Sequence, residues 1–401
     1  MVGRTTITTS NKPLEGLKIA DFSAVYAGPI CARMLSDCGA DVIKVEAIRG
    51  GDVMRGPTGN SRVFAHFNAG KRSIALDLTQ APAQQIAKQL IAQSDVLIEN
   101  FRPGVMTKFG LGYDELKTSF PRLVYCSISG FGQEGPFAQR AAYAPIAHAA
   151  SGFDYAFLSS QGDIGGRPPD SGIMIADMLT GSYAFGAIQT ALLGRTQSGR
   201  GEFVDVTMME SMMSLIPRQL QDAQLTKTPR DGGFRPIRVN DGYVMICIIS
   251  EKNMRSVAKA MGRQELIEDP RFAQRLQRYK NMDAFVAEIE SWSANVSAKE
   301  CEATMNNAGV PCSVYTSTQE LFDHPQLIER GAFKQLQDND GAFKIQNPPF
   351  QFAGRDTATA DTVPELGEHT IEVLTQRLGY DAATSQQLCD DGVAHQYVKV
   401  S

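Results

Sequence analysis

Zinc-type cysteine spacing is missing from this 401-residue chain. Its seven cysteines (Cys31, Cys38, Cys126, Cys247, Cys301, Cys312 and Cys389) form no C-x-x-C pair. The five histidines (His66, His148, His324, His369 and His395) are scattered as well. No metal site or disulfide framework is expected, and the thiols read as reduced core fillers of a cytoplasmic protein. No G-x-G-x-x-G follows the first strand-like run, and G-x-x-x-x-G-K-[ST] and G-x-S-x-G are absent. Dinucleotide-binding, P-loop and elbow-type hydrolase readings therefore lose their defining loops. Excess positive charge is also lacking: 39 Lys and Arg against 44 Asp and Glu leave a net −5. A general nucleic-acid binder is disfavoured, because neutralising phosphates takes clustered cations. A local basic pocket for one phosphorylated ligand stays open.

Met1–Asn11 is polar and has no apolar stretch, so no secretion signal is read there. Ile173 to Gly194 contains a single charged residue, Asp177. Its length suits a membrane span. Gly181, Gly186, Thr180, Ser182 and Gln189 argue instead for a fully buried helix of a large core.

Hydrophobic residues make up 43% and charged residues 21%, as in ordinary globular chains. The length allows two to three domains at about 150 residues each. Strand and helix signals alternate through the first half. Leu17–Phe22, Asp41–Glu46, Ser73–Leu78, Val96–Glu99, Leu123–Ser129 and Glu202–Val206 read as strands. Helices are predicted from Pro29 to about Asp37, from Ala81 to Gln93 and from Met208 to Ala223. This pattern predicts an α/β fold with a mostly parallel sheet covered on both faces. Around residue 226 the character changes. Lys227–Phe234 reads as a linker, Ile237–Ser250 as a hairpin turning at Asn240-Asp241-Gly242, and three polar amphipathic helices follow. Residues 226–325 are taken as a smaller domain. The 36 glycines, about 9% against the usual level of about 7%, gather in loops such as Gly130–Gly135, Gly165–Gly172 and Gly232–Gly233.

Three features carry candidate chemistry. The loop Ser23–Gly28 feeds a helix N-terminus, a natural anion site. Glu99–Gly104 (ENFRPG) sits past a strand, where parallel sheets bind ligands, with Arg102 and Lys108 as cations. Asp177 follows a Gly-Pro-rich loop and falls in the first turn or two of its helix. The helix N-terminus favours an anion there, and a desolvated carboxylate can act as a nucleophile toward an acyl group. A hydrogen-bonded structural role is the alternative.

The ordered blocks L14–P29 (LEGLKIADFSAVYAGP), LSDCGADVIKVE, NAGKRSIALDL, SDVLIENFRPG, FGLGYDEL, PRLVYCSISGFGQEGP, IADMLTG and GRGEFVDVTMMES resemble the class III CoA-transferase family, the CaiB/BaiF group. The resemblance runs nearly end to end and includes DPRF and AGVPCSVYTSTQEL. It implies a Rossmann-like large domain (1–225), a small α/β domain (226–325) and a C-terminal segment (326–401) returning to the large domain. It also implies an interlocked homodimer. The implied activity moves CoA from an acyl-CoA to a carboxylic acid, through an anhydride and a thioester on Asp177. Coenzyme A enters as acyl-CoA co-substrate, and no metal is implied. Carried over by position, Tyr26 and Ala27 lie beside the thioester, and Leu76, Asn100, Phe101, Arg102 and Lys108 hold the adenosine and phosphate end. Arg140 replaces a nearby phosphate contact, Tyr143 is a further cofactor-binding position, and Gly232-Gly233 stand for a short glycine loop. Ala47 and Ala144 replace a basic and an acidic family residue. A 2-methylacyl-CoA racemase of the same superfamily is the runner-up. Its catalytic histidine falls on Tyr143, with His148 five residues on. Arg235 and Arg238 lean toward a dicarboxylic acceptor.

Overall fold

Apolar runs bounded by turns become the strands of one large sheet. The computed structural model describes residues 12–57, 59, 61–159, 167–225 and 234–398. The chain divides into two units, Met1–Arg218 with Ile328–Ser401, and Gln219–Leu327.

The first unit opens with β1 (Lys18–Asp21), α1 (Ala27–Asp37), β2 (Asp41–Glu46), α2 (Arg62–Asn68), β3 (Arg72–Leu76), α3 (Ala81–Ala92) and β4 (Val96–Glu99). It continues with α4 (Val105–Lys108), α5 (Tyr113–Leu116), β5 (Val124–Ser129), α6 (Ala144–Ala150), α7 (Phe153–Leu158), α8 (Ile175–Ser198), β6 (Phe203–Thr207) and α9 (Met208–Met213), and the division at Arg218 falls within α10 (Pro217–Asp222). Strands β1 to β6 pair in parallel in the order 3-2-1-4-5-6. This is the doubly wound order, and it reverses between β1 and β4. Ligands of such sheets bind at that switch point, outside the carboxyl ends of the strands. Both faces are covered, so β4 and β5 are buried along their whole length. Ile86 and Leu90 of α3 fill one face with Ile74 and Leu97. Cys31 and Leu35 of α1 and Ala184 and Ile188 of α8 fill the other with Ile98 and Val124.

The second unit holds the antiparallel strands β7 (Pro236–Val239), β8 (Gly242–Ile246) and, after the helices, β9 (Cys312–Val314). Val239 pairs with Gly242, which sets the turn at Asn240-Asp241. Its helices are α11 (Glu251–Ala260), α12 (Arg275–Lys280), α13 (Met282–Ser293) and α14 (Ala298–Asn307). Ser250 and Ser297 start α11 and α14 with capping boxes. The last stretch of chain adds to the first unit a hairpin, β10 (Phe333–Asp338) with β11 (Gly341–Gln346), then α15 (Ala382–Asp390) and β12 (Ala394–His395). Strand β12 runs antiparallel along the β3 edge of the large sheet.

Two expectations need correction. The stretch around Asp177 is helical but not fully buried: Tyr183 is 47% and Leu193 67% exposed. Only one stripe, Ala176, Asp177, Thr180, Gly181, Ala184 and Ile188, is buried in the chain. The helix read as continuous from Met208 to Ala223 is two, because Pro217 cannot continue the hydrogen bonding of α9 and instead opens α10. No helix among the described residues is long and apolar enough to cross a membrane.

Candidate active site

The loop between β1 and α1 is held at nearly every backbone polar group. The Ser23 amide donates to Asp21 Oδ1 at 3.0 Å, and Lys44 Nζ donates to the Ser23 carbonyl at 2.6 Å. Asn100, just past β4 across the switch point, accepts from the Ala24 amide at 2.9 Å and donates to its carbonyl at 2.8 Å. The Val25 amide donates to both oxygens of Asp52, at 3.2 and 3.3 Å. Val25 itself has φ +72°, a strained conformation for a β-branched residue. Such strain persists only where the surroundings over-determine it, and here they do.

Beneath the loop lies a buried charge network. Lys71 Nζ meets Asp21 Oδ2 at 2.9 Å, Asn68 Oδ1 at 2.9 Å and the Pro29 carbonyl at 3.1 Å. Lys44 Nζ pairs with Asp52 Oδ2 at 3.0 Å. Arg55 grips Glu46 through two nitrogens, at 2.8 and 2.7 Å, and Glu46 in turn accepts the Asp52 amide at 3.0 Å. Despite burial, the lysine charges hold the Asp21 carboxyl below its ordinary pKa. Burial takes Lys71 the other way, down to about 8.

This scaffold fixes the start of α1. The Ala27 and Gly28 amides have no partner within their helix, since they lie in its first turn. Asp177, in the first turn of α8, faces the Ala27 amide, whose dipole pulls the carboxyl's pKa down. The carboxylate thus sits between two helix N-termini. Burial still dominates: at 6% exposure its pKa rises from 3.8 to about 6, against the pull of the Ala27 amide. The Tyr26 phenol is raised by burial, then by the charges of Asp177 and Asp52. Close approach of the two helices needs glycine. A Cβ on Gly181 would lie 2.3 Å from Ile30 Cγ2 and 2.5 Å from the Ala27 carbonyl oxygen. One on Gly28 would meet Ser23 Cβ at 2.1 Å.

The other expected positions scatter in role. Tyr26 and Ala27 stand at the carboxylate. The amide of Asn100 is engaged on both sides by Ala24, so it braces the loop rather than offering itself to a ligand. Leu76 is 1% exposed inside the core, which leaves a ligand none of its side chain. Phe101 packs against that core in part. Arg102 and Lys108 are exposed on the β4 side of the switch point. Arg140 lies over the Phe137 ring, 3.7 Å from its centroid, and Tyr143 is exposed at the start of α6. Gly232 and Gly233 lie outside the described residues. His148 is buried, and its Nε2 accepts from the Ala176 amide at 3.1 Å, which leaves that nitrogen no base function for a racemase. Sequence reasoning missed Lys44, Asp52 and Lys71 as supports, because ion pairs between distant residues leave no local pattern. Among the described residues no cluster of three or more His, Cys, Asp or Glu could hold a metal.

A doubly wound sheet with a buried carboxylate over its switch point defines a class that comparison makes specific. Residues 14–370 match the model of CoA-transferase family III, and the chain belongs to that family. It is a CoA-transferase. Succinyl-CoA:glutarate CoA-transferase of Mus musculus is 30% identical over 403 residues, covering 97% of this chain and 92% of the relative. Formyl-CoA:oxalate CoA-transferase of Escherichia coli is 30% identical over 410 residues, covering 92% and 96%. A crystal structure of a CaiB/BaiF family protein from Brucella suis superposes with a TM-score of 0.79 at 31% identity. It covers 92% of this chain and all of that one.

Proposed function

We propose that this chain moves CoA from an acyl-CoA thioester to a dicarboxylic acid, with Asp177 as the nucleophile. The observation that carries this reading is the buried Asp177 carboxylate, raised to about 6 and facing the Ala27 amide at the start of α1. Relatives named for glutarate and oxalate as acids support a dicarboxylate acceptor.

A carboxylate oxygen of Asp177 attacks the thioester carbonyl, the C–S bond breaks, and CoA leaves as thiolate. The product is a mixed anhydride. The thiolate then attacks the Asp177 carbonyl, freeing the donor acid and leaving an aspartyl thioester. The acceptor carboxylate displaces the thiolate to form a second anhydride. Attack of the thiolate on the acceptor carbonyl releases the new acyl-CoA and regenerates Asp177. No net proton is consumed. Each tetrahedral oxyanion needs fixed donors, and the Gly28 amide lies in the first turn of α1 without an intrahelical acceptor. Arg102 and Lys108 meet the phosphates of CoA from the β4 side, while Tyr26 and Ala27 flank the thioester. Arg140 supplies a further phosphate contact, and Tyr143 a further contact to the cofactor.

The working unit is a homodimer of interlocked chains. The apolar face that α8 leaves exposed, with Tyr183 and Leu193, and Ile173 just before it, supports a second copy as its cover.

The test is a panel of acyl-CoA donors and mono- and dicarboxylic acceptors read by mass spectrometry. New acyl-CoA is expected with wild type and a dicarboxylate, and none with Asp177→Ala. Exchange that survives in Asp177→Ala would overturn the mechanism. Deuterium entering the α-carbon of a 2-methylacyl-CoA without exchange would assign a racemase.

A further inference from the structure

Helix α8 begins without a cap of its own. Its N-cap residue is Met174, whose side chain accepts nothing. The first-turn amides of such a helix need acceptors from elsewhere. Asp177, the acidic residue of that turn, is the side chain an ordinary helix would turn back to serve them. A carboxylate so occupied is a poorer nucleophile, since each hydrogen bond it accepts stabilises its charge.

The Ala176 amide is instead taken by His148 from the neighbouring helix α6, at 3.1 Å. The ring is 3% exposed, beside Phe153 with centroids 5.9 Å apart. It holds the N-terminus of α8 from outside while Asp177 turns to the Ala27 amide. We propose that His148 is a positioning residue that replaces the missing cap of α8 and so leaves Asp177 available for attack. The inference rests on the proposed role of Asp177.

Accepting a backbone N–H requires an unprotonated Nε2, so the neutral ring carries its proton on Nδ1. Burial keeps the ring neutral: it lowers the His148 pKa more than Asp154 on α7 and Asp170 in the loop before α8 raise it.

His148→Phe keeps a planar ring but offers no acceptor. His148→Gln returns a carbonyl oxygen close to the place of Nε2. Single-turnover formation of the acyl-enzyme, trapped with hydroxylamine, is measured beside kcat and KM for the donor acyl-CoA. For His148→Phe, trapping rate and kcat are expected to fall together, roughly tenfold, the effect of about one hydrogen bond on a barrier. KM stays near wild type, and His148→Gln recovers most of the loss. Equal activity in His148→Phe and wild type would overturn the proposal, as would equal losses in the Phe and Gln variants. If the Phe variant does not fold, neutron diffraction from the wild-type protein decides: deuterium on Nδ1 alone supports the proposal, and deuterium on Nε2 overturns it. A wild-type protein with no CoA exchange would instead overturn the reading of Asp177 itself.

Discussion

At the scale of single residues, the proposed role of Asp177 sets catalysis against stability. Burial raises its pKa from 3.8 to about 6, so the folded chain disfavours the ionised form. That cost is fully expressed above about pH 6 and absent below about pH 4, where both states are protonated. Asp177→Asn removes it, and thermal melts at pH 7 should show a variant more stable by at most about 3 kcal/mol yet inactive. Attack requires the carboxylate, so kcat should fall as pH drops through about 6. A profile flat down to pH 4.5 would contradict that. Lys44 acts in the opposite sense. It is fully buried against Asp52 and the Ser23 carbonyl. Lys44→Met leaves Asp52 buried and uncompensated, with an expected loss of about 3–5 kcal/mol in chemical denaturation.

At the scale of elements, the candidate site is where α1 meets α8. Gly181→Ala drives a methyl group into Ile30 and the Ala27 carbonyl, neither of which can move alone. Overpacking of this kind costs about 1–3 kcal/mol. Activity should fall further than stability does, because the displaced backbone carries the amide that faces Asp177. Stability measured by urea beside kcat separates the two. Much of this architecture was legible beforehand. Strands β2 and β4 fall on Asp41–Glu46 and Val96–Glu99 as read, since turn residues bound short apolar runs there. Asp177 stood out as one charge in a long apolar stretch. The exposed side of α8 was not legible. Hydropathy reports that a face is apolar, not whether its own chain covers it. Nor was His148 legible as a cap, because its partner amide is 28 residues away and carries no side-chain signal.

At the scale of the whole molecule, the chain carries exposed apolar side chains along α6, α7 and α8, including Ile146, Tyr155, Tyr183 and Leu193. Light scattering after size exclusion should give twice the chain mass. Tyr183→Glu combined with Leu193→Glu should weaken assembly and lower activity with it. A fully active monomer would contradict the proposed dimer. The fold positions a strained loop, two helix ends and one carboxylate at the switch point of the sheet, and the proposed activity depends on what that carboxylate does. The most direct measurement is peptide mass spectrometry after incubation with an acyl-CoA and hydroxylamine. A hydroxamate is expected on the peptide of α8, located at Asp177 and absent without acyl-CoA. Efficient CoA exchange with Asp177 unmodified under those conditions would contradict it.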